Sequence, residues 1–208
     1  MAAIKKGVNL EKKTPVYKNT KVLLIEDESC VAEIDLNHED MLYRSIKLKE
    51  DSEGVYVEYP TRPRVKNGRA VFDRYGQQFI DYIFRPINEC AAYYDTMIVN
   101  AYYKAKGLSE ISMDDIPFND ETRVLSVCAV NQMHNGFVGF AEVIYRGMMI
   151  NDIAILQTPA GDKHLVLPHF KVVNSDGEEV KKLFIYPQKE EMQKLRKLVI
   201  DSYLTLVR

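Results

Sequence analysis

The sequence predicts an α+β fold made of two copies of one unit, each an antiparallel sheet of about five strands with a C-terminal helix. Three observations carry that expectation. Residues 87–106 (INECAAYYDTMIVNAYYKAK) and 188–207 (QKEEMQKLRKLVIDSYLTLV) have helical periodicity and align without a gap at a shift of 101. The chain before each helix alternates apolar and polar residues between turn signals. The order of those stretches is the same in both halves, which marks an internal repeat.

The elements follow in pairs. TKVLLIE (20–26) leads the first unit and RVLSVCAV (123–130) the second. Cys30, Ala32, Ile34 and Leu36 point one way on the next strand, as Phe137, Gly139, Ala141 and Val143 do in the other copy. LYRSIKL (42–48) and INDIAIL (150–156) come next, closed by the turns DSEG (51–54) and TPAG (158–161). VYVEYP (55–60) and HLVLP (164–168) each end in proline, and QFIDYIFRP (78–86) and VKKLFIYP (180–187) lead to the helices. Pro86 and Pro187 suit a helix start, where an amide has no partner to lose. Ala91, Tyr94, Ile98, Tyr102 and Ala105, matched by Met192, Leu195, Val199, Tyr203 and Leu206, step by 3 or 4 and form one apolar face. The units span 20–106 and 123–208. Between them, 107–122 carries five acidic residues, no basic ones and Pro117, as an exposed linker does. Two such units expose sheet edges that pairing about a pseudo-twofold axis would cover, giving an intrachain pseudo-dimer.

Composition narrows the function. With 46% hydrophobic and 28% charged residues in 208, the chain is neither disordered nor collagen-like. A net charge of −2 excludes a polycation, so any nucleic-acid surface must come from local clustering. The three cysteines are widely spaced, without a disulfide framework or a CxxC pair, which fits a reduced cytoplasm. No apolar run is long enough for a membrane span, and residues 1–21 lack the apolar core of a signal peptide. The expectation is a cytoplasmic protein with no membrane partner.

The run CVAEIDLNHEDMLYRSIKLKEDSEGVYVEYP, followed by FIDYIFRPIN, resembles the SpoVG family, the stage V sporulation and septation regulators. The matching residues are Gly54, Tyr56, Val57 and Pro60, then Asp81, Pro86, Ile87, Asn88 and Tyr102. The second unit matches through Asn151-Asp152-Ile153, Leu167-Pro168, Asp176-Gly177-Glu178, Pro187 and Tyr203, so the likeness covers about 22–106 and 123–207. Its specificity lies in the order of these features. Members usually carry one unit and form homodimers through the sheet, so the resemblance implies a tandem duplication, with a further homodimer open. It also implies a regulator that binds DNA, in some members RNA, through a basic hairpin and around the terminal helix, and no catalysis. The family's Pro–Ser–Lys–Arg hairpin start reads Pro60-Thr61-Arg62-Pro63 and Pro168-His169-Phe170-Lys171, a thinner basic pair.

Local charge separates the two hairpins. Residues 61–85 hold Arg62, Arg64, Lys66, Arg69, Arg74 and Arg85 against Asp73 and Asp81, a net of +4. Guanidinium groups grip phosphate with two donors at once. Phe72 and Tyr75 interleave with them and are able to stack on bases, and Pro63, Asn67-Gly68 and Gly76 fit a compact tip. Residues 169–186 balance Lys171, Lys181 and Lys182 against Asp176, Glu178 and Glu179 around the turn NSDG. These nine cations are the expected nucleic-acid contacts; ordinary solvated loops are the competing explanation. Lys194 and Lys197 lie off the apolar face of the last helix. The six lysines of 1–21 fit either a phosphate-trailing arm or a solubilising tail.

No catalytic constellation, metal site or cofactor motif emerges. His164 and His169, five apart on one expected strand, face opposite sides, and neither His38 nor His134 joins them at ligand spacing. Cys90 opens a helix but has no base beside it, so it reads as a quiet, partly buried thiol, while Cys30 and Cys128 read as core. Asp81 and Asp152 lie in unlike elements and read as orienting loop or strand ends. Tyr94 and Tyr102 read as core. GxGxxG, GxxxxGK[ST] and GxSxG are absent. The leading expectation is a nucleic-acid-binding regulator; the alternative is a non-catalytic interaction or structural module that keeps the fold without that surface.

Overall fold

The structure, a computed structural model, describes residues 20–27, 29–66 and 69–208. The lysine arm up to residue 19 and the Asn67-Gly68 tip lie outside the described residues. The fold is α+β, with antiparallel sheets and two helices. The first half runs β1 (Lys21–Asp27), β2 (Cys30–His38), β3 (Met41–Asp51), β4 (Gly54–Glu58), β5 (Thr61–Pro63), β6 (Val65–Lys66), β7 (Arg69–Ala70), β8 (Ile80–Tyr82), β9 (Phe84–Pro86) and α1 (Asn88–Lys106). The second runs β10 (Arg123–His134), β11 (Phe137–Tyr145), β12 (Met148–Gln157), β13 (Lys163–Val166), β14 (His169–Val173), β15 (Glu179–Leu183), β16 (Ile185–Pro187) and α2 (Lys189–Leu206).

Strand alternation sets the core. Cys30, Ala32, Ile34 and Leu36 are all buried on β2 while the residues between them are half-exposed. β2 and β3 join through Glu39-Asp40 (φ 47° and 65°), and β11 and β12 through Arg146-Gly147 (φ 52° and 71°). Two positive-φ residues in succession make the hairpin turn whose twist matches its strands. Gly147 has a second reason to lack a side chain: a Cβ there would meet Cys90 Sγ at 2.5 Å.

Each main sheet takes its fifth strand from the other half of the chain. β9 pairs with β12 (Pro86 with Met148, Phe84 with Ile150), and β16 pairs with β3 (Pro187 with Met41, Ile185 with Tyr43). The flanking bonds recur as well. The Asn151 amide donates to Ile83 O at 3.0 Å and the Arg44 amide to Phe184 O at 2.7 Å. The Ile87 amide donates to Gly147 O at 2.9 Å and the Gln188 amide to Asp40 O at 2.8 Å. One hydrophobic cluster therefore runs through both halves, with Tyr43, Phe84, Tyr94, Met148, Ile150 and Ile185 fully buried in it.

Several expectations need correction. QFIDYIFRP and VKKLFIYP are each two strands, broken where Pro60 O takes the Ile83 amide (2.9 Å) and Pro168 O the Phe184 amide (3.0 Å). The first piece joins a peripheral hairpin and the second crosses. The bulges at Ile34/Leu36 and Ala141/Val143, with positive φ at Ser45 and Asp152, make 42–48 the counterpart of 149–155 rather than of 150–156. A one-residue slip would put the core face of the strand outside. Pro86 and Pro187 end strands; the helices start after Ile87 and Gln188, without a side-chain cap. Buried positions in the first helical turns are Cys90 and Glu191, not Ala91 and Met192, and Ala105 and Leu206 are exposed as the helix ends run past the sheets. His164 and His169 belong to separate strands, β13 and β14, with Leu167-Pro168 between them. Cys128 is exposed because it stands opposite Phe140, itself 38% exposed, on the open face of the sheet. Residues 107–122 form no helix or strand and are mostly exposed, but they are fastened. The Asn100 side chain donates to Ile111 O (2.8 Å) and accepts from the Ile111 amide (2.7 Å), and the Phe118 ring lies 4.5 Å from that of Tyr93.

Candidate nucleic-acid interface

Two arms leave the sheets at equivalent points, one after β4 and one after β13. The first, residues 61–82, has a β5–β8 ribbon at its base, with Thr61 opposite Tyr82, Arg62 opposite Asp81 and Pro63 opposite Ile80. Beyond it three backbone bonds meet: the Arg64 amide donates to Phe79 O (2.7 Å), Val71 to Arg64 O (3.0 Å) and Phe79 to Val71 O (2.9 Å). The arm forks there. One finger is the β6–β7 pair. The other is closed by Asp73 Oδ1, which accepts the Tyr75 and Gln77 amides, each at 2.8 Å.

Opposed residues of an antiparallel ribbon share a face. One face of the base therefore carries Arg62 and Asp81, and the other carries Thr61, Pro63, Ile80 and Tyr82. Arg62 forms an ion pair with Asp152 at the start of the β12 bulge, and Asn151 Nδ2 donates to Tyr82 O at 2.7 Å. Arg64 Nε (3.0 Å) and Nη2 (2.5 Å) both donate to Asp81 Oδ1. Burial raises the Asp152 carboxyl above its ordinary range, with the charge of Arg62 opposing that rise; hydrogen bonding to Arg64 lowers Asp81. Asp81 and Asp152, which sequence spacing leaves apart, thus meet on either side of the two arginines and anchor the arm.

The other cations point elsewhere. Among the described residues, no carboxylate forms an ion pair with Lys66, Arg69, Arg74 or Arg85, and all four are exposed. Arg85 sits on β9, and its guanidinium lies 4.9 Å from the Tyr82 ring; Arg74 lies 4.6 Å from Tyr75 and Arg64 5.4 Å from Phe79. Such contacts hold guanidinium groups against aromatic faces. The arm leaves Phe72 55% and Tyr75 73% exposed, with Phe79 and Tyr82 also open to solvent. Sequence reading singled out Phe72 and Tyr75 but not Phe79, Ile80 and Tyr82, whose signal was concealed in a run that reads as a single core strand.

The second arm is a plain hairpin of β14 and β15, closed by Asn174 Oδ1, which accepts the Asp176 (3.0 Å) and Glu178 (2.8 Å) amides. Lys171 pairs with Glu179 at 2.8 Å, Lys181 stands opposite Lys171, and Lys182 approaches Asp35. Its ring contact faces inward, Phe170 against Phe184 at 4.6 Å. Lys171, Lys181 and Lys182 thus belong to a hairpin of their own, in a separate sheet from β5–β8 and β6–β7.

A second polar cluster lies where the halves meet. Glu191, 5% exposed, accepts from Tyr145 Oη (2.6 Å) and Lys194 Nζ (2.6 Å), with Arg146 Nε 3.4 Å away. Burial pushes this carboxyl up, and the hydrogen bonds and the charge of Arg146 outweigh it, leaving Glu191 below its ordinary range. Beside it a cavity of about 460 Å³ is lined by Asp120, Tyr145, Arg146, Lys194 and Lys197. His38 is packed edge-on against Tyr93, Tyr94 and Phe118, with Nε2 lacking a partner among the described residues; burial and then Arg146 lower its pKa.

Among the described residues no group of three or more His, Cys, Asp or Glu is placed to hold a metal ion, and no helix is long and apolar enough to cross a membrane. No protein-family model, curated protein or solved structure gives a significant match to the chain.

Proposed function

We propose that the chain is a tandem duplication of a SpoVG-like unit, folded as an intrachain pseudo-dimer, that binds DNA or RNA as a cytoplasmic regulator. The pseudo-dimer reading is supported by the reciprocal strand crossing, which repeats partner for partner between Met41–Pro187 and Met148–Pro86. Three free cysteines fit a reducing compartment. The single observation that carries binding is the first arm with the adjoining Arg85 of β9: Lys66, Arg69, Arg74 and Arg85 are exposed cations without a carboxylate partner among the described residues, interleaved with exposed rings. The second reading, an interaction module, draws on the apolar outer face of Pro63, Ile80 and Tyr82.

Fluorescence anisotropy across a salt series tests the assignment. Four phosphate contacts give a log–log slope of about −3.6 on B-DNA or about −2.8 on a single strand. The variant Lys66→Gln/Arg69→Gln/Arg74→Gln is expected to leave a slope near −1. An unchanged slope would sink the assignment of this arm, and absence of binding at low salt would favour the interaction module.

A further inference from the structure

We infer that the first arm takes single-stranded nucleic acid in preference to duplex, holding unstacked bases on its rings. The inference rests on the proposal that this arm binds nucleic acid at all. A two-stranded ribbon that reads a duplex presents hydrogen-bonding side chains to base edges in the major groove. The β5–β8 ribbon does the opposite. The two arginines at its base, Arg62 and Arg64, are turned onto Asp152 and Asp81, and the outward face offers Thr61, Pro63, Ile80 and Tyr82. That face has only two hydroxyls, those of Thr61 and Tyr82, to give a base edge, and no charged or amide group.

The same features suit a single strand. Every base has a π-face, and aromatic platforms beside cations are how sequence-tolerant single-strand sites are built. Tyr75 is 73% exposed even with the Arg74 guanidinium 4.6 Å from its ring, and Tyr82 is 38% exposed with Arg85 at 4.9 Å. A base stacked on either ring has its phosphate within reach of the neighbouring guanidinium. Phe72, 55% exposed, stands next to Asp73 at the start of the finger that carries Arg74 and Tyr75. With only Lys66, Arg69, Arg74 and the adjoining Arg85 outside ion pairs among the described residues of this surface, its electrostatics alone gives weak duplex binding at physiological salt. Stacking adds affinity that a closed duplex cannot collect.

The test compares labelled oligo(dT), oligo(U) and a duplex of equal length by anisotropy, using the full chain. The expected result is single-strand binding at least about tenfold tighter than duplex binding. Tyr75→Ala and Phe72→Ala are each expected to weaken it roughly tenfold while the duplex affinity stays put. Tyr75→Phe, which keeps the ring, restores binding and controls for folding. A preference between oligo(dT) and oligo(U) reports contact with the 2′-hydroxyl and supports the inference either way. Duplex bound as tightly as single strands, or ring removal without effect, overturns the inference and leaves the arm's nucleic-acid role standing. No binding of any of the three polymers overturns both.

Discussion

The two arms leave equivalent points of the same fold and diverge in everything that concerns a partner. The second is a short hairpin whose Lys171 is neutralised by Glu179 and whose Phe170 packs inward on Phe184. Val173 is its one exposed large apolar residue among those described. The first forks, keeps Lys66, Arg69 and Arg74 without carboxylate partners among the described residues, and exposes Phe72, Tyr75, Phe79 and Tyr82. Beneath them the crossings β9 and β16 are nearly superimposable in register. The scaffold constrains the strand that leaves each arm, while the arm itself is free to change because its described residues contribute nothing to the buried core cluster.

That contrast sets the size of the effects. The crossings should be costly to disturb and alike. Phe84→Ala and Ile185→Ala remove fully buried side chains at the two exchange points. Losses of about 3–5 and 2–5 kcal/mol are expected by denaturant titration. A Phe84 variant that loses less than about 1 kcal/mol would break the equivalence of the two crossings.

Smaller effects are expected at the polar junction, and they depend on pH. His38 is held neutral in the fold, so unfolding takes up a proton below the ordinary histidine pKa and stability falls as pH drops through about 6.5. Glu191 acts with the same sign further down: its contribution is present above the ordinary glutamate range and is lost as pH falls through its lowered folded value. Asp95 and Asp152, raised by burial, oppose this by gaining stability on protonation. The window above about pH 5.5 is therefore dominated by His38. His38→Phe is expected to flatten the melting temperature between about pH 7.5 and 5.5. A slope unchanged by that substitution would mean that another group senses pH there.

Much of the fold was legible because the core alternates. The buried alternation from Cys30 to Leu36 and the helix faces around Tyr94 and Leu195 follow from periods of two and 3.6. The crossing was not legible, because QFIDYIFRP carries no turn residue at Ile83. The break there is made by a backbone bond to Pro60 O, a long-range choice that propensity does not encode. At the candidate site, charge counting found the arginines but not their partners. Arg62 reaches Asp152, ninety residues away in sequence, only because the crossing brings β12 under the arm. Cys128 misled for a related reason: the open face of its strand has the composition of a core strand.

The most direct measurement is hydrogen–deuterium exchange of the full chain with and without saturating oligo(U). Slowed exchange confined to residues 61–82 and the adjoining β9 is expected, with 169–183 unchanged. Equal protection of both arms, or protection of 169–183 alone, would contradict the asymmetry on which this reading of the protein stands.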